Sequence, residues 1–238
     1  MLLAACLGVV ACRDEDQARK AAASDGGVAS VSPLFDLRSG TIAFGDIPWP
    51  DDLYMSSRGS VSVADLPFAS DASHREALRE ALGDLDGFGV SSPVYFYFDG
   101  AIDPSSLPAD EQASLEESAS VFLVDADPGS ANAFTRVPAR VHWHAASRRL
   151  TLRPALGHVL VPGRRYAAVV TRRVRDENGE SIAPADAFAA VRDDADLRGD
   201  AALLAARAAY APVLETFERL GFSRSQVAAL AVFRVQNV

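Results

Sequence analysis

The sequence predicts a mainly β protein, an antiparallel β-sandwich with a short N-terminal helix and a C-terminal helical segment. Three observations carry this. Short apolar stretches recur along the chain, separated by turn signals rich in Gly, Pro, Asp and Asn, which is the pattern of a sandwich. One stretch, "RVPARVHWHAASRRLTLRPA" (136–155), alternates apolar and polar residues along both arms of a hairpin. Helical spacing is confined to two stretches, 71–87 and 198–222. With 238 residues, 49% of them hydrophobic, the chain can bury a real core as one large domain or two small ones.

The chain opens on "MLLAACLGVVACRDED" (1–16), a short apolar run, then small residues before Cys12, then charge. This is the order of a secretory signal and its cleavage site, and the run is too short to span a bilayer. "VVAC", ending at Cys12, resembles a bacterial lipobox, and "LAAC", ending at Cys6, is a second match. The resemblance implies cleavage, lipidation of the cysteine sulfur and a membrane anchor, with Cys12 the lipidated residue and Cys6 the alternative if translation starts upstream. Residues 1–11 read as the signal peptide and 12–30 as a flexible linker. These are the only cysteines, so the rest of the chain has no disulfide and no Cys metal site.

Residues 31–92 form an extended and helical segment. "IPWPDDLYM" (47–55) carries Pro48 and Pro50 around Trp49, which predicts an extended edge or loop anchored by the indole. Ser73 and Glu76 read as a capping box, followed by Leu78, Leu82 and Leu85 at helical spacing and a stop near Gly83 or Gly87. Residues 93–192 form the sandwich proper. Strands are expected at 94–98, at "SVFLVDAD" (120–127), along both arms of the hairpin and at "RRYAAVV" (164–170), the last closed by Asn178-Gly179. In the hairpin, Val137, Ala139, Val141 and Trp143 share the apolar face, with Trp143 as its anchor. Residues 193–238 read as a helical connector in which Pro212 predicts a kink or a break. Ser223 and Gln226 form a second capping box before a final strand, "ALAVFRVQNV". A strand at that point needs a partner, and a natural chain that continues would supply one.

A net charge of −9 excludes nucleic acid as a partner, since phosphate binding needs a basic surplus. No Gly-x-Ser-x-Gly elbow occurs, and the clusters "ASDAS", "VSSP" and "DPSSL" sit where turn and cap chemistry accounts for serine. No catalytic residue is therefore assigned. His142 and His144 lie two apart on a strand and share a face, as two metal ligands would, but Arg140 on that face opposes a cation. They are the weak metal candidates, against an exposed polar face as the plain alternative. His74 falls in a helix's first turn and His158 in a loop. The pairs Asp51/Asp52, Asp99/Asp103 and Asp125/Asp127 fit turns better than a Ca²⁺ loop, which needs more ligands. Arg164, Arg165, Arg172, Arg173 and Arg175 read as a solvated strand edge, or as a contact for anionic lipid. No cofactor is expected.

"IPWPDDLYM", "LGDLDGFGVSSPVYFYFDGAIDPSSL", "SVFLVD" and "VFRVQN" occur in an order similar to the N-terminal region of the bacterial virulence-factor lipase family. The middle portion, from "VYFYFDGAIDPSS" to "TRRVRDENGE", resembles the bacterial Ig-like modules of secreted proteins, which makes the expected sandwich Ig-like. The resemblance implies a non-catalytic N-terminal scaffold module of a secreted, lipid-anchored lipase- or esterase-type hydrolase. The catalytic α/β-hydrolase domain would lie downstream in the same polypeptide, and the whole would be a membrane-anchored lipoprotein of the bacterial cell envelope, at the outer membrane or facing the periplasm. The alternative is a complete envelope lipoprotein whose Ig-like module binds a protein or polysaccharide. In either case Phe88, Tyr95, Phe96, Tyr97 and Phe98 are scaffold, packing between layers.

Overall fold

The computed structural model describes residues 30–37, 42–62 and 71–237. It is an antiparallel β-sandwich of two sheets, with helices added to one of them. The first sheet holds β1 (Val94–Tyr97), β4 (Ala139–His144) and β5 (Arg149–Pro154) in the order β1-β5-β4. The second holds β2 (Val121–Asp125), β3 (Arg136–Val137), β6 (Arg165–Thr171) and β7 (Val227–Arg234) in the order β3-β2-β6-β7. Every pairing is antiparallel. The lipobox cysteines Cys6 and Cys12 lie outside the described residues.

The strands of the first sheet alternate as the sequence does. Leu150 and Leu152 of β5 and Ala139 and Trp143 of β4 are buried between the sheets, and Trp143 meets Phe98 edge to face at 5.6 Å. Val94 and Phe96 of β1 join them, while Tyr95 and Tyr97 turn to the other side. The second sheet behaves differently: all of β2 and nearly all of β6 and β7 are buried, because both faces are covered. One face meets the first sheet. The other is covered by α2 (Asp186–Arg192) and α3 (Ala201–Arg219), with Phe122 of β2 packed against Phe217 and Phe222.

Five expectations change. Val137 does not continue the hairpin strand: it pairs with Leu123 in the second sheet, and β4 begins at Ala139, past Pro138, which has no N–H to give a ladder. α1 (Ala72–Gly83) is capped not by Ser73 but by Asp71, whose carboxylate accepts from the His74 N–H at 2.8 Å. Asp caps as well as Ser does and starts the helix one residue before it, while Glu76 pairs with Arg79 instead. Pro212 does not divide the C-terminal helix, which runs through it for 19 residues. Proline costs about 3 kcal/mol inside a helix, and burial of Tyr210, Val213, Leu214 and Phe217 offsets that. The arginine-rich stretch is not a sheet edge, since β6 lies between β2 and β7. Four of its arginines are engaged: Arg164 with Asp125, Arg165 with Asp52, Arg173 with the Glu117 carbonyl and Arg175 with the Gly179 carbonyl. The last strand, finally, has its partner within the chain, pairing with β6 from Thr171↔Val227 to Arg165↔Arg234. One hydrophobic core accordingly runs from Phe35 to Val235 and takes in segments that precede and follow the sandwich strands.

Candidate functional site

Two places in the molecule gather polar chemistry. The first is a clamp on β7. Asp51, just after the Trp49-Pro50 step, is fully buried and accepts three hydrogen bonds. They come from the Leu53 N–H at 2.9 Å, the Tyr210 hydroxyl at 2.8 Å and the Val232 N–H at 3.1 Å. Asp52 takes the next outward N–H of the same strand, Arg234, at 2.8 Å, and pairs with Arg165 at 3.1 Å. Together the two carboxylates close the free edge of the second sheet, where unpaired N–H groups would otherwise be buried. Burial pushes the Asp51 carboxyl well above the usual carboxylate range, opposed by its three donors, and burial beside Asp51 also raises the Tyr210 hydroxyl.

The turn at 85–88 grips the same strand one step further on. The Phe88 N–H donates to the Arg234 carbonyl and the Gln236 N–H to the Phe88 carbonyl, both at 2.9 Å. Asp86 receives the backbone and side-chain N–H groups of Asn237 at 3.0 and 2.6 Å. Gly87 is required by this approach, because a Cβ there would lie 2.6 Å from the Gln236 nitrogen. On the other side, the Gly163 N–H donates to the Val235 carbonyl at 3.0 Å. The loop leading to it leaves Leu156, Val159 and Val161 exposed at 82%, 63% and 43%.

The second place is the outer face of the first sheet. Strand alternation and register set its side chains in rows. Tyr95 of β1, Thr151 of β5 and His142 of β4 are aligned, next to a row of Tyr97, Arg149 and His144, and Arg153 pairs with Arg140 beyond them. All of these except Tyr97, with Ser91, Pro93 and Val141, line a groove of about 510 Å³. The imidazoles of His142 and His144 stand 4.4 Å apart, ring centre to ring centre. His144 is held below the usual histidine value by desolvation, with His142 and Arg149 adding to it. Arg149 lays its guanidinium over the Tyr95 ring at 4.8 Å. Its Nε and the Thr151 Oγ1 are buried without a hydrogen-bond partner among the described residues. Arg140 is paired with Glu111 at 2.7 Å.

The histidine pair does share a face, as two apart on a strand requires. Its neighbours are cations, however, and among the described residues no group of three His, Cys, Asp or Glu could hold a metal. His74 and His158 are exposed and distant in sequence from the pair. The carboxylate pairs are taken up by the fold: Asp99 accepts from Ser32, Asp103 caps a 3₁₀ turn, Asp125 holds Ser130 and Arg164, and Asp127 receives the Gly129 N–H. Sequence reasoning missed Asp51 as a buried group. It also missed Arg149 and Thr151, although extending the alternation of "RVHWH" across the hairpin to "RLTLR" places them opposite His144 and His142.

Among the described residues no helix is long and apolar enough to cross a membrane. No protein-family model matches the chain, and no curated protein matches it. Among solved structures, the crystal structure of the S-layer protein rSbsC(31-844) is similar at 16% identity and a TM-score of 0.27 over 46% of this chain and 14% of that one. The N-terminal part of the bacterial S-layer protein SbsC is similar at 16% identity and a TM-score of 0.27, over 46% of this chain and 24% of that chain. Domains 1–6 of surface layer protein SbsC are similar at 14% identity and a TM-score of 0.27, over 51% of this chain and 16% of that chain.

Proposed function

We propose that the chain is a non-catalytic scaffold module of a lipid-anchored, lipase- or esterase-type hydrolase of the bacterial envelope, with the reacting residues in a separate domain of the same polypeptide. The observation that supports this is the convergence on the outgoing end of β7. Three stretches far apart in sequence, "IPWPDD", "LDGF" and "VFRVQN", meet there through Asp51, Asp52, Asp86 and Phe88. These are the stretches that carry the resemblance to the lipase family. Residues spread along the chain are thus spent on fixing the position and direction of residues 232–237, as a module that presents a following domain requires. The apolar Leu156, Val159 and Val161 beside that exit offer the following domain a surface to pack on. The serines that face acids here act as caps or turn partners: Ser105 bonds Asp103, and Ser130 bonds Asp125.

The natural gene tests this. Its full product is expected to hydrolyse short-chain nitrophenyl esters, while residues 1–238 alone do not. In that product, Leu156→Asp with Val159→Asp should lower the thermal midpoint of the catalytic domain without unfolding the sandwich. A stop codon directly after Val238 would overturn the reading. So would ester turnover by the isolated chain that a single Ser→Ala change abolishes.

A further inference from the structure

We propose that the groove on the outer face of the first sheet binds an acidic glycan, through the carboxylate or phosphate of one sugar unit. This does not depend on the hydrolase reading. The chain carries a net charge of −9, yet this face sets Arg140, Arg149, Arg153, His142 and His144 on adjacent strands. Glu111 is the acid placed against them, and it engages Arg140 alone. The three arginines, gathered in a concave site of an otherwise acidic molecule, focus an attractive field on an anion, and the neutral imidazoles add hydrogen-bonding groups beside them.

The details favour a specific ligand over a merely solvated face. The Arg149 guanidinium is held over the Tyr95 ring rather than extended into water, which restricts its freedom and leaves N–H groups for a paired contact with an oxyanion. Neither Arg149 nor Arg153 has an ion-pair partner among the described residues, and the Thr151 hydroxyl beside Arg149 is buried with no hydrogen bond. A buried hydroxyl without a partner weakens a fold and is retained more readily where something else uses it. Pro93 and Tyr95 give the groove apolar wall beside these polar groups, and its volume of about 510 Å³ exceeds what one phosphate fills. A sugar ring, apolar on its C–H faces and polar at its rim, matches such a lining. A bilayer surface fits less well, because Arg149 and Thr151 are recessed where a headgroup plane does not reach.

Calorimetric titration of the full chain at low salt tests this with trigalacturonate, mannose 6-phosphate, maltotriose, inorganic phosphate and phosphatidylglycerol vesicles. At least one of the two acidic sugars should bind, with the neutral maltotriose silent. Arg149→Gln should weaken binding by about tenfold or more. Arg153→Gln, which is exposed and does not threaten the fold, should weaken it in the same direction. Thr151→Val separates binding from stability, since it should weaken binding while leaving the thermal midpoint unchanged or higher. Failure of both acidic sugars to bind, or binding indifferent to Arg149→Gln and Arg153→Gln, would overturn the proposal. Phosphate binding as tight as mannose 6-phosphate, with trigalacturonate silent, would leave only a free-anion site. Arginine-dependent binding of vesicles but of neither sugar would assign the face to membrane and reject the glycan.

Discussion

In the second sheet, neighbouring residues of β2 such as Phe122 and Leu123 point to opposite faces and both are buried. In the first, Trp143 is buried while His142 and His144 on either side of it face outward. The difference follows from what covers each sheet. The second lies between the first sheet and the helices α2 and α3, so its long strands are apolar but for their ends, where Asp125, Arg165, Thr171 and Arg234 stand. Among the described residues no α-helix lies on the first sheet, which keeps an outer face that water reaches. A strand covered on both faces leaves polar groups only its ends, as with Asp125 and Thr171, and most of the polar chemistry collects on the open face and along the edge of β7.

The largest effects should come from the closed sheet. Phe122→Ala and Leu123→Ala are expected to cost about 3–5 and 2–5 kcal/mol respectively, although they sit side by side. On the open sheet, only Trp143→Ala should match them, at about 3–5 kcal/mol. Urea denaturation measures all three, and a mild result for either β2 variant would mean that one face of that strand is not packed as described.

Next in size is the edge. Asp51→Ala removes the acceptor for Leu53, Tyr210 and Val232 at once, and should cost about 2–4 kcal/mol at neutral pH. The pH dependence has a definite sign. Because burial raises the Asp51 carboxyl, the folded chain holds that proton more tightly than the unfolded chain does. The contribution of Asp51 to stability is therefore fully present below the ordinary carboxylate range and is lost as pH rises from there through the raised folded value. Asp51→Asn should remove that slope, which urea midpoints across a pH series would detect. A wild-type slope that the variant leaves unchanged would assign the titration to another group.

The smallest effects belong to the open face. His142→Ala and His144→Ala should change stability by no more than about 0.5 kcal/mol. Thr151→Val keeps the β-branched shape and removes an unpartnered hydroxyl, so it should be neutral or stabilising by up to about 1 kcal/mol. A loss well beyond this for the histidine variants, seen in guanidinium titrations, would show that the face is covered and would erase the contrast between the sheets.

Much of this contrast was already legible in the chain. "ARVHWH" and "RLTLRP" alternate and "SVFLVD", "YAAVV" and "ALAVF" do not, and a period of two or its absence reports whether a strand is covered on one face or both. Trp143 as an inward anchor and the shared face of His142 and His144 follow from that period alone. The helix at 201–219 was legible too, but its passage through Pro212 was not, because propensity is local and the packing that outweighs it is not.

The sequence by itself determined the class of fold, the faces of the hairpin strands and the absence of a nucleophile elbow, since each depends on residues close together in the chain. Only the tertiary structure decided what Asp51 and Asp52 do, because their partners Tyr210, Val232 and Arg234 lie more than 150 residues away. It also decided that β7 pairs with β6, and that Arg149 rests on Tyr95 from another strand. A carboxylate in a turn and a carboxylate closing a sheet edge have the same local sequence. Burial and hydrogen-bond partners distinguish them, and both are properties of the folded chain.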